Sequence, residues 1–103
     1  MPYKDLRLAG DSYLALSDGE KSCVAGVIEH EDSQQMTTIG SPHDAFYHAL
    51  EALDWAEKLR VPDDLKEFDF CACWTLTPIG RQKLAEFLPA IIERHQHESS
   101  RLS

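Results

Sequence analysis

Phe68-Asp69-Phe70-Cys71-Ala72-Cys73-Trp74-Thr75-Leu76-Thr77-Pro78-Ile79-Gly80-Arg81-Gln82-Lys83-Leu84 holds two periods back to back. From Phe68 to Leu76 the period is two. Phe68, Phe70, Ala72, Trp74 and Leu76 fall on one side, and Asp69, Cys71, Cys73 and Thr75 on the other. That alternation predicts a half-buried strand with one strongly apolar face. Thr77-Pro78 then opens a helix: a capping residue precedes proline at the first helical position, where a missing N–H costs nothing. Leu84, Phe87, Leu88, Ile91 and Ile92 follow helical spacing, and Pro89 inside that stripe predicts a kink or a split. Residues 96–103 read as a polar, flexible tail. One domain over residues 1–95 is expected, since 103 residues supply a single core.

Upstream, Ser41-Pro42-His43-Asp44 is a second capped helix start, with Asp44 complementing the positive end. Phe46, Ala49, Leu50 and Leu53 form its apolar face, extended by Ala45, Ala52 and Ala56. His43, Asp44, Tyr47, His48, Glu51, Asp54, Trp55 and Lys58 lie opposite, and the helix is expected to run to about Leu59. Ser17-Asp18-Gly19-Glu20 fits a capping box that opens a helix over 18–30. The same Asp18-Gly19 pair is also a hairpin turn signal, which gives residues 13–39 a second reading as strands. Gln34 to Thr38 is either a short helix or a third strand, and residues 1–16 a short helix or arm followed by a turn.

Charge limits the partners. The chain carries a net charge of -8, and residues 41–70 hold three basic and eight acidic side chains. Nucleic-acid binders need lysine and arginine to displace counterions from phosphates. This middle third repels a phosphate backbone, so weak or no nucleic-acid binding is expected. An acidic surface instead suits a protein partner with a basic surface. No apolar run approaches a membrane span, and the first ten residues lack the apolar core of a signal peptide. Three cysteines, an odd number, argue against a secreted disulfide framework. The expected compartment is the cytoplasm.

Trp74-Thr75-Leu76-Thr77-Pro78-Ile79-Gly80-Arg81-Gln82-Lys83-Leu84 resembles the strand-to-helix step of MarR-like and PadR-like winged-helix regulators, where a strand ends in Leu-Thr and a helix opens with a Gly-Arg pair. Ser41 to Val61 resembles their recognition helix and the short strand after it. Pro62 to Asp69 would be the wing, and Ser17 to His30 the first helix of a helix-turn-helix. The likeness is strongest over residues 41–84 and spans 17–92. It implies an α+β, winged-helix-like fold, mostly helical with a small antiparallel β wing. The alternative is a hairpin or three-stranded sheet packed by two helices. The family's DNA contacts do not carry over. Its recognition helix and wing are rich in arginine and lysine, whereas here they carry Asp44, Glu51, Asp54, Asp63, Asp64, Glu67 and Asp69. A regulator built on this chain would have to use Lys4, Arg7, Lys58, Arg60 and Arg81 instead.

No catalytic constellation, cofactor motif or metal-ligand set emerges. The five glycines are isolated, so no phosphate loop exists. His43 and His48 lie about 140° apart around a helix and share no ligand face. Cys71-x-Cys73, with His43 or with His95 and His97, lacks the second cysteine pair typical of structural zinc. The expectation is a non-enzymatic protein-binding module without cofactor or metal, of the kind a phage-type inhibitor or DNA mimic would be. Tyr47 and Trp55 would anchor its contact face, joined by Glu51, Asp54, Asp63 and Asp64. Phe87, Ile91 and Ile92, beyond what a small core needs, would form a homodimer.

Overall fold

A computed structural model describes residues 3–61 and 70–102, and side chains over 6–61 and 70–97. The elements run α1 (Tyr3–Leu14), α2 (Asp18–Glu29), β1 (Gln35–Thr38), α3 (Pro42–Ala52), β2 (Ala56–Leu59), β3 (Cys71–Leu76) and α4 (Pro78–Leu102). The three strands form an antiparallel sheet in the order β1-β3-β2. The fold is α+β and mostly helical, with the longest strand at the centre of its sheet.

The two readings of residues 13–39 divide at the loop after α2. The capping box is made in full: Ser17 Oγ accepts from the Glu20 amide at 3.2 Å, and the Glu20 carboxylate accepts from the Ser17 amide at 3.0 Å. Two orphan donors are thereby satisfied, and the helix forms in place of a hairpin. Residues 35–38 are a strand, not a short helix. Consecutive β-branched residues Thr37, Thr38 and Ile39 favour the pleat, and the strand pairs Thr37 with Ala72 and Met36 with Cys73.

α3 stops at Ala52, earlier than its sequence pattern implies. Its end is a Schellman motif: the Asp54 amide donates to the Glu51 carbonyl at 3.0 Å, and the Trp55 amide to the Leu50 carbonyl at 2.9 Å. Asp54 supplies the left-handed residue, with φ of 62°. The turn sends Trp55 inward and lets Ala56–Leu59 leave as β2. Trp55 packs edge-on against Phe87 at 5.8 Å between ring centroids.

The segment that carries the family resemblance ties the frame together. Thr77 Oγ accepts from the Gly80 amide at 3.0 Å, capping α4, and donates to the Asp54 carbonyl at 2.9 Å. Gly80 sits against the backbone of the α3–β2 turn, where a Cβ would overlap the Trp55 carbonyl. The Arg81 guanidinium reaches the end of α2 and donates to the carbonyls of Val27, Ile28, His30 and Glu31, satisfying acceptors that a helix C-terminus leaves open.

The core gathers Val24, Phe46, Tyr47, Leu50, Trp74 and Leu84, all fully buried. Ala72, Trp74 and Leu76 face it as the alternation predicts. Phe70 does not: it lies just before β3 and is 56 % exposed. Phe68 falls outside the described residues. α4 continues past Pro89 as one helix and runs through the polar stretch after residue 95 to Leu102. At 25 residues it is about 37 Å long, which fits the molecule's 49 Å long axis.

Candidate protein-interaction surface

Half of the face expected to meet a partner is interior: His43, Asp44, Tyr47 and Trp55 are buried, while His48, Glu51, Asp54 and Lys58 are exposed. Tyr47 has no exposed surface and Trp55 only 4 %, so neither is an outward anchor. Tyr47 stacks on Trp74 at 5.8 Å, meets Phe46 edge-on at 5.5 Å and tilts against His43 at 5.2 Å. The sheet lies across this side of α3, while α1 covers another, with Tyr13 against Phe46 at 5.8 Å. A helix held between two elements has two apolar sides, and the sequence pattern had supplied the missing one with polar-tipped aromatics. Ala45 and Ala52, expected to extend the apolar face, are exposed instead.

Asp44, read as a surface charge, is buried and built into a polar joint. Its carboxylate accepts from Thr37 Oγ1 at 3.1 Å and from the Gly40 amide at 3.1 Å, and Thr37 Oγ1 accepts from the Trp74 indole N–H at 3.0 Å. This chain of hydrogen bonds joins β1, α3 and β3, so each buried polar group in it has a partner. Outside this chain of hydrogen bonds, His43 Nε2 and the Tyr47 hydroxyl are buried without a partner. Burial lowers the His43 pKa below its ordinary value, against the opposing pull of Glu20 and Asp44. Burial pushes the Tyr47 phenol up, with a further rise from Cys23 nearby.

What α3 and the turn after it present to solvent is Pro42, Ala45, His48, Glu51, Ala52 and Asp54, followed on β2 by Glu57 and Lys58. His48 sits between two carboxylates, 3.4 Å from Asp44 and 3.8 Å from Glu51, with its ring edge-on to Trp74 at 5.0 Å. Glu51 and Asp54 are both exposed at the end of α3. Asp63 and Asp64 lie outside the described residues.

The basic residues are dispersed. Arg81 is engaged by the end of α2, Lys58 lies over the Trp74 ring at 5.9 Å and Lys21 over the Tyr13 ring at 5.7 Å. Arg7 and Arg94 line a groove of about 500 Å³ between α1 and α4, floored by Leu6, Gly10, Phe87 and Ile91. Phe87 and Ile91 are half-buried there, and Ile92 is exposed. α2 and α3 are separated by β1, so these two helices do not form the compact helix-turn-helix that the resemblance implies. Among the described residues no group of three or more His, Cys, Asp or Glu could hold a metal ion, and no helix is long and apolar enough to cross a membrane.

The chain matches no family model, no curated protein and no solved structure.

The signal that sequence reading missed is Leu53-Asp54-Trp55. An aspartate at the left-handed position ends α3 and turns Trp55 inward. Asparagine and aspartate are the residues, after glycine, that enter this conformation most readily.

Proposed function

We propose that this is a small non-enzymatic protein-binding module on a winged-helix-like scaffold, which meets a basic protein surface through Glu51, Asp54 and the acidic segment containing Asp63 and Asp64. The observation that carries the reading is the exposed pair Glu51 and Asp54 at the end of α3, in a chain of net charge -8 whose Arg81 is engaged in capping a helix. Complementary charge of this kind sets on-rate and selectivity more than raw affinity. Three free thiols suit the cytoplasm. A phage-type inhibitor or DNA mimic has this profile.

The half-buried Phe87 and Ile91 and the exposed Ile92 serve, in this reading, as a homodimer contact. The groove beside them and the length of α4 beyond the body support it. A monomer in sedimentation at high micromolar concentration would remove this part, as would an Ile91→Asp, Ile92→Asp double variant that remains dimeric.

The alternative is a MarR-like or PadR-like DNA-binding regulator. The feature in its favour is the antiparallel β2–β3 pair immediately after α3, where a wing belongs. Titration with duplex DNA separates the two. Little or no binding is expected at ~150 mM salt, since the chain's net charge is -8 and carboxylates beside phosphates add repulsion. Sub-micromolar, sequence-selective binding to a palindromic duplex would overturn the proposal and restore the regulator. With a captured protein partner, Glu51→Lys and Asp54→Lys should weaken the complex, and so should added salt.

A further inference from the structure

We propose that Met36, Cys71 and Cys73 form a soft-metal site on the outer face of the sheet and take one copper(I) ion. The pleat places them together. On β3, Ala72, Trp74 and Leu76 face the core, so Cys71, Cys73 and Thr75 face the other way. Cys73 is only 5 % exposed yet stands outside the continuous core cluster, as a residue on the opposite face must. Its partner across β1 is Met36, and its partner across β2 is Leu59. Directly opposed residues share a face, so two thiols and a thioether stand on one face of adjacent strands, with Met36 opposite Cys73 and diagonal to Cys71, which pairs with Thr38.

The spacing separates this set from a disulfide. Same-face neighbours on a strand have Cα atoms about 6.7 Å apart, at the far limit of what an unstrained disulfide tolerates. An ion between the two sulfurs relieves the mismatch, because two metal–thiolate bonds of about 2.3 Å together span roughly 4.6 Å. All three cysteines are free. The donor chemistry then names the metal. Thiolate and thioether are soft ligands that select copper(I), and the described residues offer no His, Asp or Glu set to complete a zinc tetrahedron. On binding, each thiol loses its proton to solvent and a copper–sulfur bond forms, with no electron transferred. The Cys73 thiol lies 3.8 Å from Gln34 Oε1, and rotation of that amide presents an N–H to the new thiolate. The site is independent of the acidic surface, so its failure would leave the protein-binding proposal standing.

The test is anaerobic titration of the full chain with copper(I) held by bicinchoninate. One equivalent should transfer to the protein and be unaffected by Cys23→Ser. Cys71→Ser should weaken binding about a hundredfold or more, at least what losing an outer-shell partner costs a metal site. Cys73 is nearly buried and its replacement can perturb the fold, so Met36→Leu is the safer probe: it keeps volume and circular dichroism and should weaken binding at least tenfold. Failure to withdraw copper from the chelator, wild-type affinity in Met36→Leu or Cys71→Ser, or binding that follows Cys23 would each overturn the assignment.

Discussion

α3 and α4 begin alike and end differently. Each opens on a hydroxyl cap followed by proline: Ser41-Pro42 in one, Thr77-Pro78 in the other. In both, the cap oxygen accepts the amide three residues on, at 3.1 Å from Asp44 and 3.0 Å from Gly80. α3 then lasts 11 residues between the sheet and α1, with buried residues on two sides. α4 lasts 25 and passes beyond the body of the molecule. The local signal fixes where a helix starts, because capping is satisfied within one turn. Where it stops, and which side is interior, depend on what packs against it. For α3 that is decided by Asp54 and by the strand that must follow.

Tyr47 is the residue that makes α3 two-sided. Tyr47→Ala should destabilise the fold by about 3–5 kcal/mol, the range for emptying a buried aromatic site. An exposed anchor would cost little stability and only partner affinity. Tyr47→Phe sharpens the point. The hydroxyl is buried without a partner, so removing it should leave stability unchanged or raise it, by up to about 1 kcal/mol. Urea denaturation of the two variants measures both effects.

Gly80 tests the other helix. Adding a Cβ forces the start of α4 away from the Trp55 carbonyl, with no flexible side chain to absorb the overlap. Gly80→Ala should cost about 3 kcal/mol, at the upper end of overpacking penalties. Gly19→Ala is the control, since nothing lies within 4 Å of a Cβ there.

His43 gives a smaller, pH-dependent effect. Burial lowers its pKa in the folded state, while the unfolded chain titrates near ~6.5. Between those two values the unfolded state binds more protons, so stability rises with pH across that window. The stabilisation is fully present above the unfolded pKa and is lost as pH falls through the folded one. Glu20 and Asp44 face the ring and soften the shift. His43→Gln should flatten the pH dependence of the urea midpoint below about 6.5, and an unchanged slope would assign the effect elsewhere.

Much of the frame was legible because its signals are local. Ser17 and Glu20 announce α2, Thr77-Pro78 announces α4, and the period-two run announces β3. β1 was ambiguous because four residues at a sheet edge carry too little pattern to separate strand from helix. The candidate surface was legible only in part. Glu51 and Asp54 are exposed as expected, but Asp44, Tyr47 and Trp55 are interior. A polar-tipped aromatic reads as surface on a one-sided helix and as core on a two-sided one, and nothing within α3 itself says which. The Gly80-Arg81 pair shows the converse. Its glycine sits in close approach to Trp55 and its arginine on the open carbonyls of α2, so packing accounts for both residues.

The smallest effect falls at the residue where the two helices meet. Asp54 holds φ at 62°, a conformation that costs most L-residues about 1–2 kcal/mol and glycine nothing. Asp54→Gly relieves that cost in the folded state. It also adds freedom to the unfolded chain, which takes back about 0.4–1 kcal/mol. The net expectation is a gain of about 0.5 kcal/mol, with α3 ending where it does now and the hydrogen bond from Thr77 to the residue-54 carbonyl retained. The same substitution removes one carboxylate from the proposed partner surface, so stability and binding should move in opposite directions. Asp54→Asn completes the set, since asparagine accepts the left-handed conformation but carries no charge. If Asn and Gly weaken partner binding equally while only Gly raises the urea midpoint, the charge at position 54 is what the partner reads. If Asn binds as well as Asp, the acidic surface does not extend to the turn, and Glu51 must carry the contact with the segment that follows β2.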